Sequence, residues 1–206
     1  VSAAVNGGTH MAFEDFGALR SIPHIRLFEP TDNTMMKALI SQIAADYGVD
    51  YVRMPRRKGV KIYEASEVFT PGKAKVLREG TDVTLIASGV LVAEALKAAE
   101  LLASRGIEAR VVDMFTIKPI DIGCVRDCAE KTGCTVTAEN HSVIGGLGSA
   151  VAEALGETRP VPLERIGIKE AFGEVGSQDW LMDHFGLRAE SIVQAAIRVI
   201  ERKKNQ

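Results

Sequence analysis

The run Val83-Thr84-Leu85-Ile86-Ala87 constrains the fold most. A nearly continuous apolar strand is buried on both faces, which is characteristic of a parallel sheet covered by helices. Ser88-Gly89 breaks the run, and Val92, Leu96, Ala99 and Ala103 then recur at helical spacing until Arg105-Gly106 ends the pattern. The alternation continues to the C-terminus. Residues 107–114 read as a strand, 121–132 as a helix opened by Asp121, 135–138 as a strand, 146–155 as a small-residue helix and 163–168 as a strand. Trp180, Met182 and Phe185 are expected to pack a helix onto the sheet. The last helix buries Ile192, Ala196, Val199 and Ile200, and its terminal Arg202-Lys203-Lys204 complements the helix dipole. This order predicts a three-layer α/β/α sandwich with a mostly parallel sheet.

The N-terminal third is sparser. Residues 25–28 read as a strand. Thr31 or Asp32 then caps a helix whose apolar face is Met35, Met36, Leu39, Ile40, Ile43 and Tyr47. Residues 51–54 read as the next strand, 55–72 as a long surface connection, and 73–78 as a strand. A boundary near residue 76 divides the chain into part of one α/β domain, residues 1–75, and a second domain, residues 76–206. The first part has too few elements for a complete parallel domain.

Composition narrows the function classes. The chain has 206 residues, 46% hydrophobic and 25% charged, with 25 basic against 27 acidic residues and a net charge of −2. Nucleic acid and anionic membranes are therefore not favoured partners, and no apolar run reaches the roughly 18 residues of a membrane span. Cys124, Cys128 and Cys134 form no spaced disulfide framework and point to a reducing, cytoplasmic compartment. They read as small buried side chains rather than, with His141, as metal ligands.

Three stretches carry residues suited to chemistry. Asn6-Gly7-Gly8-Thr9-His10 places an imidazole after a glycine turn, on the C-terminal side of an expected strand, where open α/β sheets bind ligands. There His10 can hydrogen-bond a hydroxyl or oxyanion, or move a proton near neutral pH; Glu14 follows at a spacing that would share a helix face. Arg53-Met54-Pro55-Arg56-Arg57-Lys58 also follows a strand and reads either as an anion clamp or as a solvated basic loop. Gly145-Gly146-Leu147-Gly148 precedes a helix but lacks the dinucleotide fingerprint, and it reads as close packing of helix on sheet.

Taken in order, these motifs resemble transketolase, over nearly the whole chain. Residues 6–10 are similar to the family's acidic-Gly-x-Thr-His loop in the pyrimidine-binding domain, with Asn6 where the family carries an acidic residue. Glu14-Asp15, Leu19-Arg20-Ser21-Ile22-Pro23 and Pro30-Thr31-Asp32 continue that domain. Phe115-Thr116-Ile117-Lys118-Pro119-Ile120-Asp121, the stretch from Glu139 to Gly148, Phe172-Gly173-Glu174 and Phe185-Gly186-Leu187 resemble its C-terminal domain.

The resemblance implies transfer of a two-carbon ketol unit from a ketose phosphate to an aldose phosphate, with thiamine diphosphate and Mg2+ in the complete enzyme. It assigns His10 to the reacting hydroxyls or oxyanions, Asn6 and Thr9 to the substrate loop, and Arg56, with Arg57 beside it, to the sugar phosphate. The family's cofactor-activating glutamate and its Gly-Asp-Gly motif do not occur in this sequence. The expectation is a C-terminal part or subunit that holds no cofactor by itself, partners an N-terminal diphosphate-binding half and forms homodimers. Two relatives share the architecture, 1-deoxyxylulose-5-phosphate synthase and the 2-oxo-acid dehydrogenase beta subunit, and a non-catalytic regulatory domain is the remaining alternative.

Overall fold

Strict alternation of side chains across the central strands builds the larger sheet. The computed structural model describes residues 1, 3–56 and 59–205. Its strands are β1 (Ile25–Phe28), β2 (Val49–Val52), β3 (Lys75–Arg78), β4 (Val83–Ala87), β5 (Ala109–Asp113), β6 (Thr116–Lys118), β7 (Thr135–Ser142) and β8 (Leu163–Ile168). The helices are α1 (Asp15–Arg20), α2 (Asn33–Ala45), α3 (Leu91–Ala103), α4 (Ile122–Thr132), α5 (Leu147–Glu157), α6 (Gln178–His184) and α7 (Ala189–Lys204).

Five strands pair in the order β3-β5-β4-β7-β8, all parallel except the antiparallel edge strand β3. Along β4, Val83, Leu85 and Ala87 face one core with α3 and α7, while Ile86 faces the other with α4 and α5. That two-period division gives the expected three layers. At the start of α4, where the sequence marks a cap, the Asp121 carboxylate accepts from Cys124 N; the start of α7 is held instead by a distant side chain, buried Glu94, which accepts from Ala189 N. No described helix is long and apolar enough to cross a membrane.

The smaller sheet has the order β2-β1-β6. Its third strand comes from far along the chain and pairs antiparallel with β1. Backbone hydrogen bonds also join the N-terminal segment to the larger sheet's region: Ser142 N donates to the Phe13 carbonyl at 2.7 Å, and Glu29 N to the Phe115 carbonyl at 2.8 Å.

Several expectations need correction. Asp32 caps α2 and Met35, Leu39 and Ile43 are buried, but Ile40 is exposed and Tyr47 lies beyond the helix end, fully in solvent. The helix stops at Ala45, so periodicity beyond it has no structural meaning. Trp180 is half-exposed and stacks on the His184 ring at 4.6 Å, whereas Met182 is buried. Among the described residues, short 3-10 turns at Ala4–Asn6 and Gly8–His10, rather than a strand, flank Gly7, whose φ of 73° favours glycine. His10 and Glu14 therefore do not share a helix face, because α1 begins only at Asp15.

Candidate functional site

The turn carrying His10 and the segment following β2 border one cavity of about 230 Å³. His10, Met11 and Ala12 form one side, Arg53, Met54 and Pro55 another, and Gly89 and Val90 close it from the end of β4. The His10 ring is exposed, and its Nδ1 shares a hydrogen bond of 2.9 Å with Thr9 Oγ1. Asn6 is exposed in the preceding 3-10 turn. Arg56 is exposed one residue beyond Pro55, while Arg57 and Lys58 lie outside the described residues.

The floor of the cavity is charged and largely buried. Arg53 Nε lies 3.2 Å from Asp15 Oδ2, and Nη1 lies 3.6 Å from Glu29 Oε1. Asp15 Oδ2 also accepts from Tyr51 Oη at 2.9 Å, and Ser88 Oγ donates to Glu29 Oε2 at 2.5 Å. Burial pushes the Glu29 carboxyl up from its usual range, opposed by Arg53 and the Ser88 hydroxyl. Burial and the Asp15 hydrogen bond raise the Tyr51 phenol to about 12.

Arg53 thus fits neither reading of the basic run, as an anion clamp or as a solvated loop. Its charge is engaged by two carboxylates on other elements. The donor set at this wall does not fit a diphosphate: such a group would face Asp15 and Glu29, with Arg53 already paired to both.

Behind the floor lies a second buried group. The Gly17 N–H donates to His141 Nε2 at 3.3 Å, so the proton belongs on Nδ1, which donates to the Ser142 carbonyl at 2.7 Å. Burial lowers the His141 pKa, keeping the ring neutral. Its Nε2 stands 3.6 Å from Asp15 Oδ1 and its Nδ1 3.7 Å from Glu139 Oε2.

Glu139 in turn accepts from Leu147 N at 2.6 Å and Gly148 N at 2.8 Å. A side-chain carboxylate therefore occupies the N-terminus of α5, where an anionic ligand would otherwise bind. A Cβ on Gly146 would collide with the Glu139 carboxylate, so the glycine run is close packing.

Asp15, Glu29, Glu139 and His141 did not stand out as a group in the sequence. Glu29 carried a local signal, a charge ending an apolar strand immediately before a helix cap, whereas Asp15, Glu139 and His141 stood within the stretches that resemble the family.

Fold and site together define a mostly parallel α/β sandwich joined to a smaller sheet, with a polar cavity bordered by the smaller sheet and the loop after β4. Residues 72–192 match the family model described as transketolase, C-terminal domain, and the chain belongs to that family. It is 53% identical to the 6-deoxy-6-sulfo-D-fructose transketolase subunit SqwH of Clostridium sp. (strain MSTE9), over 98% of this chain and 63% of that protein. It is 42% identical to a putative transketolase C-terminal section of Methanocaldococcus jannaschii, over 100% of this chain and 64% of that protein. A solved structure described as a split gene transketolase, inactive beta4 tetramer, superposes with a TM-score of 0.90 at 41% identity, covering 95% of this chain and 64% of that one. The chain therefore spans less than two thirds of the length of these relatives.

Proposed function

We propose that the chain is the substrate-binding part of a transketolase, transferring a two-carbon ketol unit between sugars in combination with a diphosphate-binding half or subunit. The observation that carries this reading is the convergence of the His10 turn and the Arg53-to-Pro55 segment on one cavity. In the proposed division, residues 1–75 end a pyrimidine-binding domain and residues 76–206 form the C-terminal domain.

His10 donates to or accepts from the hydroxyls at the carbons where the bond breaks, and steadies the negative charge that develops on oxygen. Thr9 orients its ring through Nδ1. Asn6 hydrogen-bonds a sugar hydroxyl without adding charge. Arg56, with Arg57 beside it, receives the anionic end of the substrate in a planar fork. Thiamine diphosphate, which the family uses, supplies the electron sink when bound; the partner half supplies its diphosphate and Mg2+ site.

The family and the relatives named as transketolase subunits support this reading over a regulatory domain. The chain also matches 1-deoxy-D-xylulose-5-phosphate synthases at 34–39% identity, which keeps that reaction as the second reading. One relative is named for a sulfonated ketose, so phosphate and sulfonate are both suitable anionic ends. Assays of the reconstituted enzyme with ketose phosphate, sulfoketose and pyruvate as donors separate these readings. Two-carbon transfer from either ketose supports ketol transfer; carbon dioxide release from pyruvate in its place contradicts it. We further propose a cytoplasmic, homodimeric assembly.

A further inference from the structure

Arg53 connects three segments that the backbone alone leaves separate. Its N–H donates to the Phe28 carbonyl at 2.9 Å, extending the pairing of β1 with β2. The guanidinium then folds back over the Phe16 ring, 5.3 Å from its centroid. From there Nη2 donates to the Ala12 carbonyl at 2.6 Å, Nε faces Asp15 at the start of α1, and Nη1 faces Glu29 after β1. Ala12 belongs to the stretch that leaves the His10 turn, and Arg53 opens the segment that leads to Arg56.

The side chains of Arg53, Asp15 and Glu29 are 14%, 9% and 5% exposed. Solvent and salt screen such a cluster little, so the attraction between its charges persists. A planar guanidinium can serve a carbonyl and two carboxylates in different directions at once; an ammonium cannot match that fork.

We propose that Arg53 is a positioning residue that fixes the His10 turn and the Arg56 segment relative to each other without itself touching substrate. The inference rests on the ketol-transfer reading of His10 and Arg56. It assigns the buried charge cluster to holding two substrate-binding loops in register, a 1 Å displacement of which is enough to slow a reaction severely.

Hydrogen–deuterium exchange of the full protein and Arg53→Lys tests this independently of activity. Lysine keeps the charge between the carboxylates, whereas Arg53→Met would leave both buried and unpaired. The expected result is exchange about tenfold faster or more in residues 8–13 and 53–56, with α7 unchanged. Unchanged exchange in both segments overturns the inference, and faster exchange that includes α7 does so as well, because Arg53 is then a general stabiliser.

In the reconstituted enzyme, Arg53→Lys is expected to lower kcat about tenfold and to add no further loss to His10→Ala. Multiplicative losses would show that Arg53 does not act through His10 and overturn the proposal. A wild-type enzyme without ketol transfer would contradict the functional reading instead, and the exchange pattern would still decide the role of Arg53.

Discussion

Thr31 Oγ1 donates to the buried Asp113 carboxylate at 2.5 Å, joining the loop after β1 to the end of β5 in the larger sheet. Tyr63 Oη donates to the same oxygen at 2.7 Å, while among the described residues Asp113 Oδ1 has no hydrogen-bond partner. Burial pushes the Asp113 pKa up to about 7, against the lowering effect of the two hydroxyls. An unfolded aspartate titrates near 3.9, so between these values the folded state holds the extra proton.

The contribution of Asp113 is therefore fully present below about pH 4 and lost as pH rises through about 7, by at most about 1.4 kcal/mol per pH unit. Glu139, also raised to about 7 by burial, acts in the same sense; His141, lowered by burial, acts oppositely. Urea midpoints from pH 5.5 to 8 for the wild type and Asp113→Asn isolate the Asp113 part. A flatter profile in Asp113→Asn is expected, and parallel profiles would refute the assignment.

Gly146→Ala should destabilise the fold by about 1–3 kcal/mol, the usual cost of overpacking. The new methyl would meet the Glu139 carboxylate and disturb its bonds to the start of α5. Urea unfolding measures this directly, and an unchanged midpoint would mean that the helix start adjusts freely.

His10→Ala should separate function from stability. The ring is exposed, so unfolding free energy should change by no more than about 0.5 kcal/mol. In the reconstituted enzyme kcat should fall about 100-fold or more, in line with loss of a positioned proton-transfer group. Comparable kcat in the two proteins would remove His10 from the chemistry.

Arg56→Ala should act mainly on KM, because contacts to a remote anionic group supply binding energy. The rise should appear with a ketose phosphate and be absent with the same sugar unphosphorylated. Equal effects on both substrates would exclude the anion-binding role.

Residues whose chemistry is local were legible. Val83–Ala87 and Leu163–Ile168 are strands at the expected bounds, and Asp32 and Asp121 cap helices as their types require. Tertiary relationships were not. A three-residue strand such as Thr116–Lys118 has no periodicity to read, and its pairing with β1 depends on the packed structure. Arg53 looked like its basic neighbours because Asp15 and Glu29 approach it only after folding. The turn at Gly7–Gly8 was recognisable, but the 3-10 geometry around it replaced the expected strand.

The most direct measurement combines the purified chain with a diphosphate-binding partner subunit, thiamine diphosphate and Mg2+, and follows two-carbon transfer from a ketose to an aldose phosphate. Transfer is expected from the mixture and from neither component alone, with a collapse of turnover when the chain carries His10→Ala. A mixture that assembles and binds the cofactor yet transfers no two-carbon unit from any ketose donor would contradict the ketol-transfer reading.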